Sequence, residues 1–294
     1  MQLSKIYDKI NRKLKWEVFR FLRKGENMLK DFFAGESIEY FAVLDYKNCI
    51  EISAPIIERE DFIPRSVILF LMPYYTGETE NISRYAASLD YHLAIREVGE
   101  RLRGHLMSEF PFAKMKIFGD HSPIAERHAA LISGLGIAGD SGLLINEKYG
   151  TYVFIGDMIT DIPAEELGET SLTSISDCHH CGACKRACPT GILRGDGIDC
   201  LSAITQKKGE LCEEERSLMK KYNTAWGCDL CQTSCPYNRN PIKTPLEFFY
   251  RDRIGRLDKA TLDGMTKDDF KKRAFAWRGR KTVERNLAIL DGEE

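Results

Sequence analysis

Four cysteines lie close together in the stretch from Cys178 to Gly191, which reads CHHCGACKRACPTG. They are separated by two, two and three residues, and a proline follows the last of them. Cysteine thiolates at this spacing are the ligands of bacterial-type 4Fe-4S clusters, which carry electrons. The run therefore predicts electron transfer, in a chain far longer than such a run needs.

A second cysteine run ends with the same Cys-Pro step, at Cys235-Pro236, but it is one cysteine short of the first. In two-cluster domains the last cysteine of each run binds the cluster of the other run. We therefore expect cluster 1 to be bound by Cys178, Cys181, Cys184 and Cys235, and cluster 2 by Cys188, Cys228 and Cys231. These are seven thiolates, and two 4Fe-4S clusters need one more.

The missing thiolate can come from Cys200 or from Cys212. We predict Cys200, because the turn-rich connection Arg194-Gly-Asp-Gly197 can return the chain to the cluster, whereas Cys212 lies in a charged stretch. A four-cysteine zinc site is the alternative, but three closely spaced cysteines followed by Cys-Pro are typical of iron–sulfur binding. Two neighbouring clusters form a path for electrons. Since residues 1–177 carry neither ligands for a third cluster nor a dinucleotide fingerprint, that path must end at another kind of cofactor or at a substrate.

The composition indicates a globular chain in a reducing compartment. Of its 294 residues, 43% are hydrophobic and 29% are charged. We find neither a signal peptide nor an apolar run of about 18 residues, the length that a membrane span needs. Nine of the ten cysteines lie between Cys178 and Cys235, which without an export signal favours metal binding over disulfides. We expect a cytoplasmic protein with no membrane partner.

The charge distribution limits how the chain could bind nucleic acid. A net charge of −2 argues against a protein that binds nucleic acid with its whole surface. A local basic segment, residues 267–285, has eight basic side chains against three acidic ones. Such a segment is either a solvated helix face or a contact for phosphate groups.

Helices and strands alternate ahead of the cysteine runs, which predicts a layered α/β or α+β domain. Helical periodicity marks residues 3–30 (amphipathic), 90–110 and 123–133, and strand patterns mark 39–45, 66–72, 114–118 and 151–155. The polar stretch from Asp161 to Asp177 is interpreted as a linker. We predict three consecutive segments: a catalytic α+β domain at 1–176, a two-cluster domain at 177–240 and a helical segment at 241–294 that packs back on the core.

The stretch Gly134-Leu-Gly-Ile-Ala-Gly139 matches the G-x-G-x-x-G pattern of dinucleotide-binding folds. That pattern must follow a strand and open a helix, whereas this stretch follows a predicted helix and precedes the short apolar run Leu143-Leu-Ile-Asn146. We therefore reject a dinucleotide site. The glycines either form a plain loop or allow the backbone to approach something flat or bulky.

Several segments together resemble the epoxyqueuosine reductase family, cobalamin-dependent iron–sulfur enzymes that complete queuosine in tRNA. Their order and spacing match from about residue 50 to residue 290. The segments are Ser83-Arg-Tyr-Ala86, Asp90-Tyr-His92, Asp120-His-Ser-Pro123, Glu126-Arg127, Gly134-Leu-Gly136 with Gly139, the first cysteine run, Asp199-Cys200, and Trp226 to Asn238. This match is far more specific than the cysteine spacing alone.

The resemblance implies an α+β fold in which a nitroreductase-like cobalamin-binding domain is joined to a two-cluster ferredoxin-like domain. It implies two 4Fe-4S clusters and cobalamin as cofactors, the tRNA anticodon arm as a partner, and an external electron donor such as a flavodoxin or ferredoxin. Asp120 matches the aspartate taken as the family's proton donor, a role that requires a desolvated, protonated carboxyl group. The glycine loop at 134–139 would lie against the corrin edge. Besides Asp120, the cofactor contacts expected from the resemblance are Arg84, Tyr85, Tyr91, His92, Ser122, Gly136, Gly139, Asp140, Ser141 and Ser202.

Three features depart from the family pattern. Asp140 stands where the family tends to carry a lysine, Gly119 stands where it carries a hydrophobic residue, and members usually continue into a C-terminal helical repeat domain. We expect reduction of epoxyqueuosine to queuosine in tRNA, with the basic segment contacting phosphates of the anticodon arm. The alternatives are a corrinoid iron–sulfur reductase that acts on a small molecule or on a partner protein's corrinoid, and an electron-transfer module without chemistry of its own.

Overall fold

The computed structural model describes residues 27–195 and 197–292. Most of the predicted amphipathic helix at 3–30 lies outside this range, and a helix (α1) is present at 27–35. The described residues divide into two compact units. The first combines the residues up to Leu71 with Arg96–Leu135 and Ile155–Ser174, and the second combines Met72–Ile95 and Gly136–Phe154 with the residues from Ile175 onward. Both units are discontinuous, whereas the sequence predicts consecutive segments. The last stretch of the second unit begins at Ile175, and the sequence-based boundary is at 176.

Strands and short helices alternate along the chain. The strands are β1 Phe41–Asp45, β2 Ser66–Pro73, β3 Met115–Phe118, β4 Ile137–Ala138, β5 Leu144–Ile145 and β6 Val153–Thr160. The helices that follow α1 are α2 Ala54–Ile57, α3 Tyr91–Met107, α4 Glu126–Ile132, α5 Ala164–Leu167, α6 Ala183–Ala187, α7 Leu201–Thr205, α8 Glu213–Tyr222, α9 Leu230–Thr233, α10 Lys259–Asp263, α11 Lys267–Lys271 and α12 Arg280–Asp291. Among these residues no helix has the length and apolar character that crossing a membrane requires.

A four-stranded sheet in the order β1-β2-β6-β3 forms the core of the first unit. All eight residues of β2 are buried, as its continuous apolar run predicts for a central strand. Strand β1 pairs with β2 in antiparallel register, and β3 pairs with β6 in the same way, with Phe118 opposite Asp157. The predicted strand at 151–155 is correct but too short, since β6 continues to Thr160 through a buried aspartate.

The second unit has its own hydrophobic core around Trp226, which is fully buried. Helix α12 contributes Val283 and Leu287 to this core, so α12 packs within the second unit. Short helices and loops carry the cysteines of residues 178–235, because each cluster-binding loop turns too tightly for a long helix.

The glycine stretch leads into a hairpin, an arrangement that the sequence analysis does not predict, and it does not open a helix as a dinucleotide site would. Ile137 and Ala138 pair with Ile145 and Leu144 in the two-stranded sheet β4-β5, and no helix follows. A Cβ atom on Gly136 would lie 2.6 Å from the backbone oxygen of Ile145. The close approach for which the glycine is needed is therefore to the chain's own backbone.

Candidate functional site

The first set of cysteines gathers at the start of helix α6. Gly182 takes a left-handed conformation (φ 69°) just before the helix, and Cys184 lies in its first turn. Burial raises the pKa of Cys184, and a repulsive interaction with the thiol of Cys235 adds to that effect. Burial also raises the pKa of Cys235, which interacts with the thiols of Cys178 and Cys181. The four cysteines predicted for cluster 1 are thus brought together.

The second set gathers around Cys228 and Cys231. Burial raises the pKa of Cys228 to about 11, and the thiols of Cys200 and Cys188 raise it further. Burial likewise raises the pKa of Cys231 to about 12, with added repulsion from Cys228, Cys200 and Cys184. Thiols that hinder one another's ionisation fit a metal centre, because the positive charge of a metal replaces their protons. The structure therefore brings Cys200 to the predicted cluster 2 ligands.

Cys188 shows how the loop after α6 prepares a thiolate. Burial raises the pKa of this thiol, but hydrogen bonds from the backbone at Leu193, Thr190 and Gly191 outweigh burial and lower it overall. The Thr190 hydroxyl lies 3.6 Å from Sγ. Backbone donors aimed at a cysteine sulfur also help to set the potential of an iron–sulfur cluster.

Cys212, the other candidate for the eighth ligand, has a structural role instead. It is the N-cap residue of α8, where its side chain and that of Glu215 form a capping box. The Cys212 N–H donates to Glu215 at 3.0 Å. Such reciprocal bonds satisfy donors that a helix start would leave unpaired. The geometry accordingly favours Cys200 over Cys212.

A buried polar network that the sequence analysis missed supports the second cysteine run. The Gln232 side chain accepts hydrogen bonds from Tyr74 Oη at 3.1 Å and Thr151 Oγ1 at 2.8 Å. The Asn238 amide donates to Thr151 Oγ1 at 2.7 Å and to the Gln232 carbonyl at 2.8 Å. Buried amides that are fully hydrogen-bonded hold loops in one arrangement. Gln232 and Asn238, polar residues in and next to the second cysteine run, were the signal in the sequence that could have pointed to this network.

Asp229, also missed, neutralises the predicted cofactor contact Arg84. The Asp229 carboxylate accepts from the Arg84 backbone N–H at 2.7 Å and from its Nη1 at 3.1 Å. Arg84 also pairs with Glu78, and the Asp229 carboxylate accepts a further bond from Ser83. The guanidinium group of Arg84 is therefore occupied within the second unit.

Two other predicted cofactor contacts, Tyr85 and Ser202, also form hydrogen bonds within this unit. The hydroxyl of Tyr85 accepts a hydrogen bond from the Trp226 indole at 2.9 Å, and burial raises the pKa of Tyr85. The Ser202 hydroxyl accepts from Gln206 at 3.1 Å. These side chains anchor the region around the second cysteine set, and their roles as cofactor contacts remain predictions.

The pair Tyr91 and His92 presents a stacked aromatic surface. The Tyr91 ring lies 4.1 Å from the Phe154 ring at an interplanar angle of 9°, and 4.2 Å from the His92 ring. His92 Nδ1 is held by Asp90 at 2.7 Å. Tyr91 and His92 are both half-buried, so each keeps part of its surface exposed.

Asp140 is tied to the loop of cluster 1. Its carboxylate lies 2.8 Å from His180 Nδ1 and 3.3 Å from Lys185 Nζ, and the hydrogen bond with His180 lowers the pKa of Asp140. The Asp140 carboxylate, His180 imidazole and Cys178 thiol all lie within 4.8 Å of one another. The acidic residue at this position therefore contacts the cluster loop, and Ser141 beside it is partly exposed.

Asp120, the predicted proton donor, lies in the first unit directly after β3. Its backbone has φ 73°, the left-handed region that residues other than glycine rarely adopt. Its side chain is exposed. Ser122, two residues later, is buried and donates to Asp157 Oδ2 at 2.7 Å. A strained backbone conformation at a polar residue is a mark of functional sites.

The basic segment at 267–285 is less accessible than its sequence suggests. Lys271, Lys272 and Arg280 form ion pairs with neighbouring acidic side chains. Arg273 is buried, and its Nη1 donates to backbone carbonyls, as does Nη1 of Arg285. The segment is thus largely a structural element whose charges are partly compensated.

Comparison with known proteins agrees with this arrangement. The family "4Fe-4S double cluster binding domain" matches residues 177–238, and the family "Epoxyqueuosine reductase QueG, DUF1730" matches residues 63–121. An epoxyqueuosine reductase of Leadbetterella byssophila is 34% identical over 241 residues, which are 77% of this chain and 77% of the relative. That of Listeria monocytogenes is 33% identical over 222 residues, 71% of this chain. The match spans only 56% of the Listeria relative's length.

Solved structures match over nearly the whole chain. The epoxyqueuosine reductase of Streptococcus thermophilus has a TM-score of 0.66 at 23% identity and covers 94% of this chain and 80% of its own. An epoxyqueuosine reductase crystallised with an epoxyqueuosine-modified tRNA-Tyr stem loop has a TM-score of 0.67 at 21% identity, covering 95% and 81%. At these identities the structures establish the shared fold, and the Leadbetterella relative establishes the family. This chain belongs to the epoxyqueuosine reductase family.

Proposed function

We propose that this chain reduces epoxyqueuosine to queuosine in tRNA, using two 4Fe-4S clusters and cobalamin. The observation that carries the proposal is the gathering of eight thiols into two sets of four within one unit of a chain from this family. Relatives of the family bear the name of that reaction, and one solved relative was crystallised with an epoxyqueuosine-modified stem loop.

Removing an epoxide oxygen as water consumes two electrons and two protons. The two cysteine sets would deliver electrons one at a time from an external donor, with Cys178, Cys181, Cys184 and Cys235 on one cluster and Cys188, Cys200, Cys228 and Cys231 on the other. When bound, cobalamin would supply the metal centre at which those electrons reach the substrate. Among the residues expected to contact it, the flat ring of Tyr91 with His92, and the polar side chain of Ser141, keep surface that a planar ligand could use.

Asp120 is assigned the role of proton donor to the departing oxygen. Its exposed position, in a turn directly after β3, allows the carboxyl group to reach a bound ligand. A carboxyl group in water gives up its proton at low pH, so the donor form requires that substrate and cofactor cover it and exclude water. The tRNA would provide part of that cover.

The tRNA contact is proposed at the exposed cations of the basic segment. Lys267 and Lys281 are exposed there, whereas several neighbours are paired or buried. Phosphate contacts of this kind would weaken steeply as salt concentration rises.

The test is anaerobic reconstitution with iron, sulfide and cobalamin, followed by an assay on tRNA that carries epoxyqueuosine. About eight iron atoms per chain are expected for two clusters. Conversion should require the added cobalamin and a reductant. Failure to take up cobalamin would exclude both the reduction of epoxyqueuosine and the alternative of a corrinoid reductase with another substrate. Uptake of cobalamin without conversion of the tRNA would exclude epoxyqueuosine in tRNA as the substrate.

A further inference from the structure

Asp157 is a fully buried carboxyl group for which the proposed reaction has no use. It lies in β6 with no exposed surface, and its Oδ2 accepts one hydrogen bond, from Ser122 at 2.7 Å. Its Oδ1 is buried and has no hydrogen-bond partner among the described residues. Burying a carboxyl group with so few partners costs folding free energy, so its presence calls for a reason.

The position of Asp157 in the sheet explains why this carboxyl group is buried there. In the sheet it lies opposite Phe118, the last residue of β3. The chain then turns through Gly119, Asp120 and His121 and comes back to Asp157 through the side chain of Ser122. One residue of β6 thus holds both ends of the turn that carries Asp120, by backbone register at one end and by a side-chain hydrogen bond at the other.

We propose that Asp157 is a positioning residue, which acts through Ser122 to hold the turn at 119–122 with Asp120 in its left-handed conformation. This inference rests on the proposed role of Asp120 as proton donor. Asp157 itself touches neither substrate nor cofactor. Its contribution is to keep a strained backbone conformation populated, since a turn anchored at only one end can relax to an unstrained one.

The surroundings of Asp157 are consistent with an anchor rather than an ion pair. Burial raises the pKa of Asp157 to about 7. The titratable groups on which its charge acts are Tyr46 and Cys49, and burial raises the pKa of both, that of Cys49 to about 12. Both neighbours are therefore uncharged near neutral pH. In either protonation state the Asp157 carboxyl group can share a hydrogen bond with the Ser122 hydroxyl.

The direct test is amide hydrogen exchange of the reconstituted protein without substrate. Ser122→Ala should accelerate exchange of the hydrogen-bonded amides of Ile52, Ser53 and Ala125 beside the turn at least tenfold and leave β3 and β6 unchanged. Asp157→Asn keeps an acceptor oxygen for the Ser122 hydroxyl, so the exchange rates of the same amides should stay within about threefold of those in wild type. Ser66→Ala is the matched control, because Ser66 is equally buried and donates to the Ile162 carbonyl at 2.7 Å, away from the turn.

Activity provides the second measurement. On tRNA carrying epoxyqueuosine, Ser122→Ala should lower kcat about tenfold with KM within twofold, because a misplaced proton donor affects the reaction more than binding. Asp157→Asn should restore most of the rate that Asp157→Ala loses. Unchanged exchange of Ile52, Ser53 and Ala125 in Ser122→Ala, or faster exchange spread evenly over the unit, would overturn the inference. If Asp120→Asn kept full activity, the proposed proton donor would be wrong, while the exchange result would still decide the anchor.

Discussion

Replacing Asp157 by asparagine should remove one source of pH dependence in folding stability. Burial raises the pKa of this carboxyl group from 3.8 to about 7. As pH rises, the unfolded chain therefore loses the proton first, and between pH 3.8 and about 7 the folded state holds one proton more. In that window, stability falls by about 1.4 kcal/mol per pH unit, and the loss is complete above the folded-state pKa.

The size of the effect follows from the shift. Roughly three pH units correspond to about 4 kcal/mol for a group that is fully buried and unscreened. From about pH 5.5 upward, roughly 1.5 units of the window remain, which correspond to about 2 kcal/mol. Asparagine has the same shape but does not ionise. Between pH 5.5 and pH 8.5, the free energy of unfolding of Asp157→Asn should therefore rise by about 2 kcal/mol relative to that of wild type.

The assay is anaerobic urea unfolding of both proteins at about pH 5.5, 7 and 8.5, compared as the difference in free energy of unfolding. Taking the difference cancels the pH dependence that the proteins share. Asp161→Asn, at a partly exposed aspartate just after the same strand, is the matched control for the loss of one carboxylate. If Asp157→Asn differed from wild type by a constant amount at all three pH values, burial would not be the source of the pH dependence.

Three further predictions concern the second unit and the glycines. Cys200→Ala should lower the iron content from about eight to about four atoms per chain, whereas Cys212→Ala should leave it unchanged; equal losses would contradict the ligand assignment. Gly136→Ala should lower the free energy of unfolding by about 2 kcal/mol, because the new Cβ meets a backbone oxygen at 2.6 Å, whereas Gly104→Ala, in open space on α3, should raise it by up to about 1 kcal/mol. Asp229→Ala should lower the free energy of unfolding by about 3 kcal/mol, since it removes the buried partner of the Arg84 guanidinium group and leaves only the exposed Glu78, and a loss below about 1 kcal/mol would contradict the importance of that buried pair.

The two predicted cysteine sets rest on ligand spacing, which cluster geometry limits to a few patterns, and the thiols of each set interact in the structure. It also predicts β2, β3 and α3 to within a few residues, since their periodicity reflects which face is buried. Cys200 is preferred over Cys212 from the turn-rich connection alone, and the electrostatic grouping of the thiols agrees with that choice.

What the sequence does not predict are the partners of polar residues distant along the chain. Arg84 resembles a ligand contact in the sequence, yet its guanidinium group pairs with Asp229, 145 residues away. Asp157 interrupts an apolar strand pattern, so the predicted strand ends before it. Periodicity describes which side of an element is buried, but hydrogen-bond partners are set by tertiary packing.

The glycines at 134–139 illustrate a third limit. Either a plain loop or close approach to a flat partner fits the sequence, and the structure shows a hairpin whose own backbone requires Gly136 and Gly139. The contact that excludes a side chain is made by residues only a few positions further along the chain. Sequence patterns show that space is restricted, but not what restricts it.

The central claim is most directly tested by a single-turnover reaction of the reconstituted, prereduced chain with tRNA carrying epoxyqueuosine. The amount of queuosine formed is measured for wild type and for Asp120→Asn, after both are shown to bind equal iron and cobalamin. We expect close to one queuosine per wild-type chain and a rate at least about a hundredfold lower for the variant, in line with loss of general acid catalysis. Equal rates for the two proteins, or no queuosine from fully loaded wild type, would contradict it.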